Sequence, residues 1–206
     1  MIGLLLNHRV QFVLGGAMIN VGYRFQDHIK HGVANPENQT PNKMWKEIKK
    51  QNRLSASIRS LFPRTKHRPK IAILLCMDAR LDDDELTGDS RQLYYIIRTA
   101  GSVLPKVEQD MLELSIEKGV EVVVLTTHQD CAAEKASKDK ILSKKLPHLC
   151  AAVKDRQKHI KEFLARPSIN EKIKNGKLMI VYAHIDPSNG MMVPDVNMSA
   201  NTLSAE

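Results

Sequence analysis

The sequence predicts an α/β fold, a single domain with a mostly parallel central sheet of about four or more strands flanked by helices, preceded by an N-terminal helical arm. Three observations carry that expectation. Apolar runs of strand length recur at residues 71–75 (IAILL), 93–98 (LYYIIR), 120–125 (VEVVVL) and 178–183 (LMIVYA), as expected of strands covered on both faces. Helix-favouring stretches separate them, and strand–helix alternation is the signature of a parallel sheet. The chain has 206 residues, 42% apolar and 26% charged, enough for one well-packed domain and an arm. The expected division is residues 1–69 as arm, 70–193 as the sheet domain and 194–206 as a polar tail.

The chain opens on MIGLLL, but Asn7, His8, Arg9 and Gln11 interrupt the run, leaving it far short of the roughly 20 apolar residues of a membrane helix. No basic residue precedes the apolar run, so it matches a secretory signal poorly. Residues 23–41 are polar, with Gly32, Pro36 and Pro41, and predict a loop. His28 and His31 have ligand-like spacing there, yet in a polar loop they are expected to face solvent. Residues 42–61 predict a helix capped by Asn42, with Trp45, Ile48, Leu54, Ile58 and Leu61 loosely on one face and Pro63 ending it.

The formal charge is +8, but residues 43–70 hold ten Lys or Arg and one Glu, while the remainder holds 21 basic and 22 acidic residues. The excess belongs to one segment. A basic segment can meet phosphate or anionic lipid, but a solvated helix face is the plainer expectation, and nucleic acid is not expected as a partner.

In the sheet domain, Gly101 follows the second apolar run and allows a close turn. Residues 105–118 carry helical spacing through Val107, Met111, Leu114 and Ile116, with Gly119 as the stop. After the third run, residues 132–145 favour helix, and residues 151–164 predict another that Pro167 ends. The acidic cluster Asp82, Asp83, Asp84 and Glu85 is expected at a helix N-terminus rather than at a second metal.

Ligands in such sheets gather at the carboxyl ends of strands. Cys76 falls at the end of the first strand, His128 just beyond the third, and Cys131 near the first turn of the following helix, where unpaired N–H groups favour a thiolate. Two thiolates and an imidazole suit zinc. A structural site would show a fourth Cys or His in a second close pair, whereas Cys150 sits in a separate helical context and is expected to be a helix-face or core thiol. The fourth position is then left to a water or to Asp78, the arrangement of a catalytic metal. Asp78 and Arg80, two residues apart, can pair in an extended segment. Paired, Asp78 is held off the metal; unpaired, it could ligate and shut the site. Three cysteines, an odd number, make no disulfide framework, so a reducing, cytoplasmic compartment is expected.

C-x-D-x-R followed by H-x-x-C resembles the β-class carbonic anhydrases, and CMDARL is close to the CMDSRL form of that family's smaller members. The resemblance extends through residues 88–102 (GDSRQLYYIIRTAGS), similar to the family's R-N-A-G-N segment, through MLELSIEKGVEVVVLTTHQDCAAEKA, and to the P-x-I, G-x-L, Asp and Gly rhythm of residues 166–193. It implies a zinc lyase interconverting CO2 and bicarbonate, with Cys76, His128 and Cys131 holding Zn2+ and Asp78 and Arg80 forming the dyad that opens and orients the fourth position. No cofactor other than zinc is implied. It also implies a homodimer or larger assembly in which N-terminal helices wrap the neighbour, giving Trp45 and Ile48 a burial place. Three departures bear on pocket shape: Thr127 and Ala132 stand where the family usually has Gly, Arg98-Thr99-Ala100-Gly101-Ser102 replaces R-N-A-G-N, and Tyr182 replaces a small residue. Two other functions fit the residues. One is hydrolysis of carbonyl sulfide or carbon disulfide at the same metal; the other is a zinc-stabilised binding protein whose basic arm holds an anionic partner.

Overall fold

The structure is a computed structural model and describes residues 8–33, 40–61, 68–87 and 94–195. The chain falls into two compact units, Met1–His67 and Arg68–Glu206.

Among the described residues, the first unit has the helices α1 (His8–Val33) and α2 (Pro41–Leu61). Helix α1 overturns the loop expected from residue 23: the chain stays helical through Val33, so His28 and His31 lie on a helix. Polar side chains such as Gln26 and Asp27 do not break a helix, and the prolines that suggested a loop come after its end. Residues 34–39, with Pro36, and residues 62–67, with Pro63, lie outside the described residues, as does the opening MIGLLL. The cap of α2 is Thr40 rather than Asn42. Its Oγ1 accepts from the Lys43 N–H at 3.4 Å, and Pro41 takes the first helical position, where its missing N–H costs nothing. Trp45, Ile48, Leu54, Ile58 and Leu61 are all exposed, and no described helix is long and apolar enough to cross a membrane.

The second unit is built on a five-stranded sheet: β1 (Ile71–Cys76), β2 (Tyr94–Thr99), β3 (Val122–His128), β4 (Met179–Asp186) and β5 (Met191–Pro194), in the order β2-β1-β3-β4-β5. The first four run parallel; β5 pairs antiparallel with β4. Helices α3 (Asp83–Thr87), α4 (Lys106–Glu117), α5 (Ala132–Lys138), α6 (Lys140–Lys145), α7 (Pro147–Lys154), α8 (Arg156–Leu164) and α9 (Pro167–Lys174) connect and flank the strands.

Strand alternation sorts the core into two clusters. One gathers Ala72, Leu74, Val123, Leu125 and Tyr182 with Leu112 and Ile116 of α4, Phe163 of α8 and Ile169 of α9. The other gathers Ile73, Leu75, Cys76, Val124, Ala183 and Ile185 with Cys131, Ala133 and Val153. Tyr182 therefore packs in a different cluster from the cysteines.

Several boundaries differ from expectation for local reasons. Strand β3 continues through the β-branched Thr126 and Thr127 to His128, so His128 ends the strand rather than following it. The helical stretch after Cys131 breaks at Asp139, whose carboxylate accepts from the N–H groups of Ile141 and Leu142 and so caps α6. Pro167 opens α9, since proline suits a first turn as well as it stops a helix. Strand β5 was not anticipated; the turn before it is set by the Asp186 carboxylate, which accepts from Ser188 and Asn189, and by Gly190 at φ +70°. The acidic cluster does open a helix: Asp82 Oδ1 accepts from the N–H groups of Asp84 and Glu85 at 2.9 and 3.1 Å.

Candidate metal centre

Cys76 ends β1, His128 ends β3 and Cys131 is the N-cap residue of α5. Their donor atoms lie within 4.8 Å of one another, and all three residues are buried. The two Sγ atoms are 3.9 Å apart, too far for a disulfide, and all three cysteines of the chain are free thiols. Cys150 lies apart from the group, buried against the Ala136 carbonyl at 3.6 Å.

The imidazole is set up as a donor to something. His128 Nδ1 is 2.8 Å from the Gln129 carbonyl; a carbonyl only accepts, so Nδ1 carries the proton and Nε2 presents a lone pair. That Nε2 is buried without a hydrogen-bond partner, a costly state for a nitrogen unless a cation takes the lone pair. The thiols point the same way. Burial pushes the Cys131 thiol up, the neighbouring Cys76 adds to the rise, and the backbone N–H groups of Glu134 and Ala133 pull it down. Two thiolates this close need a cation between them. Two sulfurs and one imidazole nitrogen in this arrangement fit zinc.

Cys76 also accepts a hydrogen bond from the Gly101 N–H, at 3.2 Å. Gly101 lies in a short 3-10 turn (Ala100–Ser102) at φ +73°. A Cβ there would stand 3.1 Å from Val153 Cγ2 and 3.2 Å from the Ala133 Cβ, so the positive φ favours glycine and the tight packing adds to that preference.

Beside the three donors lies the pair expected from sequence. Asp78 Oδ2 accepts from Arg80 Nη2 at 2.7 Å, and Oδ1 accepts from Arg80 Nε and from the Arg80 backbone N–H, both at 3.0 Å. This is a two-pronged guanidinium–carboxylate pair, and its hydrogen bonds hold the Asp78 carboxyl far below the usual carboxylate range and Arg80 above its own. Both Asp78 oxygens are thus committed to Arg80.

One participant was missed in the sequence. Asp130, between His128 and Cys131, has φ +60°; its carbonyl accepts from Arg80 Nη2 at 3.2 Å and its carboxylate from Nη1 at 3.4 Å. Lys135 pairs with the same carboxylate and is the main reason it titrates low. Arg80 therefore ties Asp78 to the loop that carries two of the donors. The signal was present in the left-handed propensity of an Asp between two site residues.

Of the two residues that replace family glycines, Thr127 places its hydroxyl 2.9 Å from His184 Nδ1 on β4, and Ala132 opens α5 with an exposed side chain. Neither is among the grouped donors.

A mostly parallel α/β sheet carries a buried Cys–His–Cys group at the carboxyl ends of its strands, an arrangement that could hold one metal ion. Residues 71–165 match the profile of the carbonic anhydrase family, and the fold of the second unit is that of solved β-class carbonic anhydrases. The chain is similar in fold to the β-carbonic anhydrase CcaA, with 19% identity over 75% of this chain and 96% of that one and a TM-score of 0.62. It is similar also to CafA of Aspergillus fumigatus, at 14% identity, 78% and 96% coverage and a TM-score of 0.56. One of two tetrameric β-carbonic anhydrases of Sordaria macrospora matches at 16% identity, 75% and 98% coverage and a TM-score of 0.54. No curated protein sequence matches the chain.

Proposed function

We propose that this chain is a zinc-dependent carbonate dehydratase that interconverts CO2 and bicarbonate, with Cys76, His128 and Cys131 holding the ion and Asp78 and Arg80 serving the fourth position. The observation that carries this reading is the engagement of both Asp78 oxygens by Arg80 beside a three-donor cluster. Zinc held there would supply a Lewis acid that brings the pKa of water toward about 7, making hydroxide available to an electrophilic carbon near neutral pH.

The residues divide the remaining work. Asp78, fixed by Arg80, is unavailable as a fourth donor and instead offers an acceptor that orients a water hydrogen beside the cluster. Arg80 fixes the carboxylate, and its contacts to Asp130 hold that assembly against the His128–Cys131 loop. The Gly101 N–H steadies the charge on Cys76. No covalent protein nucleophile is required. The working form is a homodimer or larger assembly, for which the exposed apolar residues of α1 and α2 supply surface, and free cysteines suit a reducing compartment such as the cytoplasm.

The test is stopped-flow CO2 hydration on protein of measured zinc content, over roughly pH 6.5 to 9, beside Cys76→Ser, with carbonyl sulfide and carbon disulfide run in parallel. Hydration that rises with pH and vanishes in the variant supports the proposal. Full zinc occupancy without hydration overturns it, and turnover of a sulfur compound alone would reassign the substrate.

A further inference from the structure

Arg156 is the first residue of α8, at some remove in sequence from every residue assigned to the centre. Its guanidinium is largely buried, with 17% of the side chain exposed, and it makes two contacts. Nη1 donates to the Gly101 carbonyl at 2.9 Å, and Nη2 donates to Glu134 Oε1 at 2.6 Å.

Each contact falls on a segment next to one of the two thiols. Gly101 gives its N–H to Cys76. Glu134 lies in the first turn of α5, the helix whose N-cap residue is Cys131. Glycine suits position 101 because φ there is +73° and a Cβ would crowd Val153 and Ala133, but glycine is also the residue with the most backbone freedom to lose. A turn with that freedom, ending in an N–H that must meet a sulfur, needs an external restraint. A planar guanidinium with two fixed prongs is well suited to bridge a carbonyl and a carboxylate at a set separation. A Lys amine, a point donor on a flexible stem, is less so.

We propose that Arg156 is a positioning residue for the metal centre, holding the Gly101 turn, whose N–H reaches Cys76, and the first turn of α5, which begins at Cys131, in the mutual placement that sets the two sulfurs. The inference rests on these cysteines being metal donors, and it does not depend on which substrate the centre turns over.

The experiment loads the full chain with Co2+ and records the thiolate-to-cobalt charge-transfer bands, together with metal retention against a chelator, for wild type, Arg156→Ala, Arg156→Lys and Arg166→Ala. Arg166 joins Glu113 and Asp110 in a comparable ion-pair cluster away from the cysteines and controls for loss of a structural ion pair. The expected result is metal retention about 10- to 100-fold weaker in Arg156→Ala with displaced bands, partial recovery in Arg156→Lys, and wild-type spectrum and retention in Arg166→Ala. Should Arg156→Ala fail to fold, the Lys variant alone decides, since it keeps the charge and loses the two-pronged geometry. Bands and retention within twofold of wild type in the folded Arg156 variants would overturn the inference, as would an equal loss in Arg166→Ala. Wild-type protein that binds no cobalt would overturn the metal reading with it. Cobalt binding without CO2 hydration would overturn only the proposed reaction.

Discussion

Two arginines in this molecule each sit between two carboxylates, and they do different jobs. Arg80 pairs with Asp78 at 2.7 Å and Asp130 at 3.4 Å; Arg166 pairs with Glu113 at 2.5 Å and Asp110 at 2.8 Å. Each reaches far along the chain, Arg80 across 50 residues to Asp130 and Arg166 across 53 to Glu113; the difference is that the shorter contact of Arg80 is to a near neighbour in sequence. Glu113 lies 53 residues from Arg166, so that cluster joins α4 to the start of α9, with Ser168 adding a hydroxyl to Glu113. Asp78 is two residues from its arginine and can staple little of the fold, so its purpose has to be sought in its surroundings, which are two thiols and an unpartnered imidazole nitrogen. A short-range ion pair beside buried donors calls for a chemical explanation, whereas a long-range one is explained by the elements it joins.

The comparison breaks first at Arg80. Arg80→Ala releases Asp78 toward the cluster, and CO2 hydration is expected to fall about 10²–10³-fold while metal retention is kept or increased; stopped-flow kinetics beside chelator competition checks both halves. Asp130→Ala leaves the Asp78 pair in place but loosens its tether, with a loss of about tenfold in hydration, measured in the same assay. Arg166→Ala should do the opposite, lowering unfolding free energy by roughly 1–2 kcal/mol, read by urea denaturation, with hydration per bound zinc within about twofold of wild type.

The finest test is one of pH. Ser168 and Arg166 hold the Glu113 carboxyl below its usual value. A carboxyl depressed in the folded state stabilises above its unfolded pKa, and that contribution disappears as pH falls through the folded value. Glu113→Gln should therefore be less stable than wild type at neutral pH, with the gap closing below about pH 4. A gap that persists unchanged at lower pH would show that packing of Glu113, not its charge, supports the α4–α9 contact.

The sheet was legible because buried parallel strands are written as uninterrupted apolar runs, and the gathering of Cys76, His128 and Cys131 because metal chemistry restricts residue type and spacing. What escaped was carried by backbone groups or by contacts distant in sequence. Asp130 acts partly through its carbonyl, Gly101 through its N–H, and Arg156 across 55 residues to Gly101, none of which leaves a pattern in composition or periodicity. The errors in elements were of another kind. Residues 23–33 have the polar composition of a loop, yet polar side chains do not break a helix, and Pro167 serves a helix start as readily as a stop. Strand β5 has only four residues and ends in Pro194, too short for its period to register.

The pairing of β1 with β3, Ile71 opposite Val122 through Leu74 opposite Leu125, is fastened by Thr126 Oγ1 donating to the Leu74 carbonyl at 2.6 Å. Cys76 and Cys131 are 55 residues apart, so bringing them together in an unfolded chain costs about 3.5 kcal/mol in the length-dependent part of loop closure alone. A slip of one residue between these strands would move Cys76 by about 3.3 Å along the sheet and turn its side chain to the other side. Under the proposed function, all three donors could grip an ion only after the central strands have locked in their native alignment, which would make the rate of cobalt colour development a clock for the assembly of the sheet.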